Sequence, residues 1–246
     1  MLKTISLSAM IWAGAVTASH AQFTEGFTGE AALNGSVTTG NTETTDVGFG
    51  LKLAKETDKW KHSIKASANY GRADGNTNKS RYALGYQIDR DITDRLYGYA
   101  SADYFSDDFG AFKQGYFLGT GVGYQILPEA PFTWSVEAGG GYRSQKARLP
   151  LNNPTGLPSR TENEIAGQLV SDVDYIFNDS VSAYNDTELL YSASDTFLTN
   201  EIGVTSQLFE SFAMRASFRV EHHTDVPFGT EKTDTISQIG IVYTMK

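Results

Sequence analysis

The sequence predicts an all-β protein, a twelve-stranded antiparallel transmembrane β-barrel. Three observations carry this expectation. First, apolar and polar residues alternate with a period of two through almost the whole chain after residue 25, and that period is the strand signal because successive Cβ atoms point to opposite faces. Second, the alternating runs are long. An ordinary strand has about 5–6 residues, whereas crossing a bilayer at a slant takes roughly 9–11. Third, the connections alternate between short turns and mostly longer loops, as they do in outer-membrane barrels.

The first two strands are expected at 26–38 and 43–55. Phe27, Leu33 and Val37 share one face, and Glu30 and Asn34 the other. After a Gly40-Asn41 turn, Val47, Phe49 and Leu51 alternate with Asp46 and Lys52. Gly and Asn suit a tight turn because both tolerate positive φ. In 60–71, Trp60, Ile64, Ala66 and Tyr70 oppose Lys61, Lys65 and Asn69; in 79–89, Tyr82, Leu84 and Tyr86 oppose Arg81 and Gln87. In 95–105 the face that carries Asp103 also carries Tyr97 and Tyr99, which places these tyrosines inside. In 113–126, Tyr116, Leu118 and Val122 oppose Lys113 and a row of glycines. In 132–145, Trp134, Val136 and Tyr142 oppose Glu137 and Arg143. In 162–176, Ile165, Leu169 and Val173 oppose Glu164, Asp172 and Asp174. The stretch 181–191 follows, with Asp186 and Glu188 inward. The stretch 197–208 leaks polarity, with Asn200 and Ser206 on its apolar face. In 212–223, Phe212, Met214 and Phe218 oppose Arg215, Arg219 and Glu221, and 233–245 completes the set. The aromatics of the apolar faces gather near strand ends, where rings with one wet end belong in a membrane.

The short connections are Glu56–Lys59, Arg90–Asp94, Leu127–Pro131, Asn178–Ser180 and Glu210-Ser211. The others are Arg72–Asn78, Ser106–Phe112, Lys146–Thr161, Ser192–Thr196 and Thr224–Lys232. By analogy with other barrels the short set is periplasmic, and an even strand count puts both termini on that side. The 146–161 loop holds Pro150, Pro154 and Pro158 and is the candidate for a lid or a constriction.

Residues 1–21 read as a cleaved signal peptide, with Lys3, an apolar run and small residues before the expected cut after Ala21; residues 22–246 are the barrel domain. After them no apolar run approaches the ~20 residues of a membrane helix. The chain has no cysteine and a formal charge of −9. Its stability must then come from packing and a closed hydrogen-bond network, and its acidity argues against nucleic acid as a partner.

Leu33-x-Gly-Ser-x-x-Thr-Gly-Asn-Thr-x-Thr-Thr45, Asp103-Tyr-Phe, Gly119-Thr-Gly-Val-Gly-Tyr124 and Val136-Glu-Ala-Gly-Gly-Gly-Tyr142 resemble the YdiY-like family of salt-stress-induced outer-membrane proteins (domain of unknown function 481). The resemblance covers residues 26–245 and implies an outer-membrane barrel, with a link to salt or osmotic stress and no defined activity. Gln238-Ile-Gly-Ile-Val-Tyr-Thr-Met245 is similar to the C-terminal signal read by the barrel-insertion machinery, although Met245-Lys246 stands where an aromatic usually ends the chain.

The inward faces define the candidate site. The expected lumen-lining residues are Glu30, Asp46, Lys52, Lys65, Arg81, Asp103, Glu137, Arg143, Asp172, Asp174, Glu188, Arg215, Arg219 and Asp234, joined by Glu164, Asp186, Glu201, Glu221, Lys61 and Lys113. They read either as a structural network of ion pairs or as a narrow pore with an acidic bias towards cations. The partners implied are outer-membrane lipid, lipopolysaccharide and small solutes or cations. No cofactor is implied. Adjacent strand residues face opposite ways, so His222 and His223 cannot share one metal. Asp74 with Asp107-Asp108 is a candidate divalent-cation bridge, weighed against a solvated loop pair. The rival function is a lipid-modifying barrel enzyme of lipase or acyltransferase type, which needs a serine beside a histidine. The candidates are Ser106 or Ser192 with His62, His222 or His223, and no nucleophile motif surrounds either serine.

Overall fold

The computed structural model describes residues 26–39, 44–73, 76–149, 157, 159–226 and 230–245. The expected signal segment, the Gly40-Asn41 turn, Asp74 and the three prolines of the 146–161 loop lie outside the described residues. The described chain forms twelve strands: β1 (Thr28–Thr39), β2 (Thr44–Glu56), β3 (Trp60–Ala73), β4 (Asn76–Asp91), β5 (Leu96–Asp107), β6 (Phe112–Leu127), β7 (Phe132–Arg148), β8 (Ser159–Asn178), β9 (Val181–Ser192), β10 (Thr196–Phe209), β11 (Phe212–His223) and β12 (Thr233–Met245). All neighbouring pairs are antiparallel, and β1 pairs with β12 from Gly29↔Met245 to Thr39↔Thr235. The barrel is therefore closed, and none of the twelve described strands leaves an edge to meet lipid.

The strands are tilted. Register partners followed round the wall run Leu96, Tyr124, Val136, Ser171, Thr187, Asn200, Val220, Thr235 and Thr39. That row starts beside a short turn at one rim and ends at the opposite rim. Such a climb is the stagger that closing a sheet imposes.

Two expectations about connections change. Strands β3 and β4 run on to Ala73 and from Asn76, with a bulge at Gly71/Arg72, so the expected Arg72–Asn78 loop is mostly sheet. Strands β7 and β8 pair as far as Arg148↔Ser159, which narrows the 146–161 loop to the residues between them. In both cases strand pairing continues past the point where alternation fades. The long strands project the sheet beyond a bilayer's thickness, where no apolar face is demanded.

The two faces are sorted throughout. Leu33, Phe49, Leu84, Leu118, Ile165, Ile202 and Ile239 are exposed on the outside. Aromatic residues form two belts there. Trp60, Phe132, Tyr175, Phe212 and Tyr243 lie towards the short-turn rim, and Tyr70, Tyr82, Tyr104, Tyr116 and Tyr142 towards the other. Neighbours in the belts touch, as in Tyr82–Tyr104 and Phe212–Tyr243, with ring centroids 6.4 and 5.1 Å apart. The polar leak of β10 is satisfied locally: Asn200 donates to Thr187 Oγ1 at 2.7 Å and exchanges amide bonds with Asn185.

Inside, rings lie flat over glycines. A Cβ on Gly123 would meet the Tyr97 ring, one on Gly139 the Tyr99 hydroxyl, one on Gly119 the Phe117 ring and one on Gly203 the Tyr184 ring. Glycine is required at these positions because the inner wall is crowded, and each ring covers backbone that would otherwise face the lumen.

Candidate functional site

The site is the charged interior of the barrel. Strand β11 supplies its spine, because Arg215, Arg219, Glu221 and His223 alternate inward along one strand. Arg215 grips Glu30 of β1 through two hydrogen bonds of 2.6 Å each, a fork geometry that matches a carboxylate. Arg219 pairs with Glu201 on neighbouring β10 and stands 3.6 Å from Glu221. Glu221 accepts from Arg81 at 2.9 Å. Arg81 is on β4, and β12, β1, β2 and β3 separate it from β11 along the wall. This ion pair therefore crosses the lumen. Lys52 does the same lower down, 3.8 Å from Asp186 of β9 and 4.0 Å from Glu30.

Near the long-loop rim a second cross-connection forms. The short β9–β10 connection folds inward and presents Asp195. Its carboxylate takes a hydrogen bond from Arg143 Nη2 at 3.2 Å and lies 2.6 Å from His223 Nδ1. It also accepts from the backbone N–H of Asp225 at 3.2 Å. The His223 ring stacks on Phe197 with centroids 4.3 Å apart and meets Phe112 of β6 at 5.0 Å. Burial would raise the Asp195 carboxyl. The His223 hydrogen bond, with the charges of His223 and Arg143 and the Asp225 N–H, outweighs that and holds it at about 2. Five segments of the wall are thus tied at the mouth, around a cavity of about 100 Å³ lined by Phe112, Arg160, Glu162, Ser194, Asp195 and Asp225.

The middle of the lumen differs. Asp172 of β8 and Asp186 of β9 are direct register partners, so two carboxylates face each other across adjacent strands. Asp103, Glu137, Asp174 and Glu188 surround them. Glu137 is held by Gln87 at 2.9 Å and the Tyr97 hydroxyl at 2.8 Å, and Glu188 by Gln168 at 2.8 Å. Lys65 extends from β3 towards Asp172, Asp186, Glu188 and Glu137. Lys65, Asp103 and Asp174 are exposed although they point inward, so this region is open to water.

The remaining expected residues are placed as follows. Asp46 is buried against Lys79, 2.6 Å away, and Asp234 is the register partner of Glu221. Lys113 is displaced: a bulge between Phe112 and Gln114 turns Phe112 towards His223 and leaves Lys113 exposed. Sequence reasoning missed Lys79 and Asp89, which counting by twos from Arg81 and Gln87 would have found. It also missed Asp195, for which no strand period exists.

The histidines are committed elsewhere. His222 Nδ1 meets Thr233 Oγ1 at 2.7 Å and His62 Nδ1 meets the Tyr86 hydroxyl at 2.8 Å. Ser192 Oγ donates to the Asp195 carbonyl at 2.8 Å and accepts from Arg143 at 3.1 Å. The serine that shares a cluster with His223 thus serves as a structural link. Asp107 Oδ1 caps its own turn by accepting from the N–H groups of Phe109 and Gly110. Outside the barrel, a groove of about 550 Å³ is lined by apolar side chains such as Leu96, Val122, Val136, Leu169 and Leu198.

A closed barrel with an apolar, aromatic-belted exterior and a charged interior defines an outer-membrane β-barrel. Within that class the chain belongs to the family described as "Protein of unknown function, DUF481", whose model matches residues 31–245. It is 23% identical over 189 residues to the Escherichia coli (strain K12) protein described as "Uncharacterized protein YdiY", covering 76% of this chain and 68% of that one. Among solved structures, the NanC porin aligns with a TM-score of 0.57 at 11% identity, over 87% of this chain and 100% of its own. The translocator domain of autotransporter NalP from Neisseria meningitidis gives 0.53 at 14% identity, over 89% and 88%. The KdgM porin gives 0.51 at 7% identity, over 88% and 99%. At these identities the likeness is one of fold.

Proposed function

We propose that the barrel is a narrow, cation-favouring path for small solutes through the outer membrane, with the short turns and both termini on the periplasmic side. The observation that carries this reading is the water-exposed middle of the lumen, where Asp103, Asp172, Asp174, Asp186, Glu137 and Glu188 outnumber Lys52 and Lys65. A cluster of carboxylates with low-dielectric walls concentrates cations. The pairs Arg81–Glu221 and Arg143–Asp195 narrow the path towards the outer mouth. Twelve strands fall between the filled eight-stranded barrels and the open channels of about sixteen, which suits a constricted path. The C-terminal strand would engage the insertion machinery, and the outer wall would contact lipid and lipopolysaccharide. A role in salt or osmotic stress, implied by the family resemblance, is part of the same proposal.

Single-channel recording in a planar bilayer tests the path. Small, cation-selective steps are expected. Their complete absence from folded protein, identified by heat-modifiable migration, would leave the barrel a purely structural component of the envelope.

A further inference from the structure

We infer that Lys65, assisted by Lys52, is a tethered counter-cation that sets how strongly the lumen prefers permeant cations over anions. This inference rests on the reading of the lumen as a conducting path.

The argument begins with strand register. Asp172↔Asp186 is a direct pair of like charges on β8 and β9, an arrangement that is destabilising unless a cation compensates it. Among the described residues, the cations that act on this pair are Lys65 and Lys52, and no arginine bonds to either aspartate. The compensation comes from the opposite wall, where Lys52↔Lys65 is likewise a direct register pair on β2 and β3. Two lysines side by side on one wall thus face two aspartates side by side on the other. Lys52 reaches Asp186 at 3.8 Å.

Lys65 does not close the distance. Among the described residues it forms no ion pair within 4.0 Å and no hydrogen bond, although Asp172, Asp186, Glu188 and Glu137 all lie within its electrostatic reach. Its surroundings leave room for movement. The next inward position on β4 is Gly85, over which the Asp103 carboxylate lies. Lys65 is also exposed to the lumen's water. A lysine held by one partner in a fixed geometry is a structural element. A lysine suspended among four carboxylates occupies the volume that a permeant cation would take, and competes with it. Removing its charge should deepen the cation preference, and retaining the charge as arginine should preserve it.

Recordings of the full barrel under a potassium chloride gradient test this, with heat-modifiable migration confirming that each variant folds. Lys65→Met is expected to raise the cation-to-anion permeability ratio by about threefold, the effect of one unit charge several ångströms away through water. Lys65→Arg should keep the wild-type ratio. A silent wild type with a conducting Lys52→Met/Lys65→Met double variant would overturn the inference, because the lysines would then block the lumen and set no permeability ratio. If Lys65→Met fails to fold, Asp172→Asn/Asp186→Asn takes its place and should move the ratio towards anions. A conducting Lys65→Met, or the aspartate variant in its stead, with the ratio unchanged would overturn the inference and leave the conducting reading standing. Silence of every folded variant, wild type included, would overturn both.

Discussion

The Nδ1 atom of His223 lies 2.6 Å from Oδ2 of Asp195, and this contact closes a chain of interactions across the long-loop mouth of the barrel. His223 ends β11, Asp195 belongs to the β9–β10 connection, and Arg143 reaches both Ser192 and Asp195 from β7. Phe112 of β6 completes the cover on the His223 ring. The side chains of Arg143 and Asp195 are 8% and 2% exposed. Their ion pair is thus shielded from solvent, unlike a surface pair, whose worth is about 0–1 kcal/mol.

Asp195→Ala is expected to destabilise the barrel by about 3–5 kcal/mol, because it leaves the Arg143 charge buried without its partner. Urea unfolding of the protein in lipid vesicles measures this. Asp195→Asn, which keeps a hydrogen-bonding side chain there, should cost less than the alanine variant.

The same cluster predicts a pH dependence. Asp195 is held at about 2, below the ordinary carboxylate value of about 3.9. A depressed carboxyl contributes stability that is fully present above its unfolded value and is lost as pH falls through its folded value. The groups facing it are His223 of β11, Arg143 of β7 and the Asp225 N–H, while Glu162 and Glu164 of β8 hold Ser194 beside it. Wild-type stability should therefore fall between about pH 4 and pH 2 by more than that of Asp195→Asn. Parallel urea titrations across that range measure the difference, and identical losses would remove Asp195 from the account.

Arg81 and Glu221 belong to strands on far sides of the wall, and their side chains meet at 2.9 Å. A double-mutant cycle with Arg81→Met and Glu221→Gln should give a coupling energy of about 1–3 kcal/mol. On the conducting path proposed above, the single variants should also widen the lumen and raise the conductance. A coupling near zero would mean that the cross-lumen pair does not hold in the membrane.

The ring-over-glycine packing is testable by adding side chains. Gly123→Val would drive methyl groups into the Tyr97 ring and should cost about 1–3 kcal/mol through overpacking. Gly167→Ala meets nothing within 4 Å and should stay within about 0.5 kcal/mol of wild type. Vesicle unfolding midpoints compare the two, and equal effects would contradict the packing described.

Much of this architecture is legible in the sequence for one physical reason. A barrel wall separates lipid from lumen, so each strand carries its own two-residue alternation and needs no partner to reveal its faces. That is why Tyr97 and Tyr99 could be assigned inward from their spacing to Asp103; their hydroxyls do meet Glu137 and Gln168 inside, at 2.8 and 3.3 Å. Alternation also foretells the opposite faces of His222 and His223. It fails where a bulge changes the count, as at Phe112, and where a residue lies between strands, as Asp195 does.

By itself, the sequence determined the strand count, the inward and outward faces and the surplus of acid in the lumen, because each follows from local periodicity and composition. Only the tertiary structure decided which charges meet. Arg81 and Glu221 stand 140 residues apart, and closure of the barrel, strand tilt and register bring them together. The same is true of Lys65. Periodicity turns it inward, but only the shape of the closed barrel leaves its ammonium among carboxylates with no ion pair of its own among the described residues.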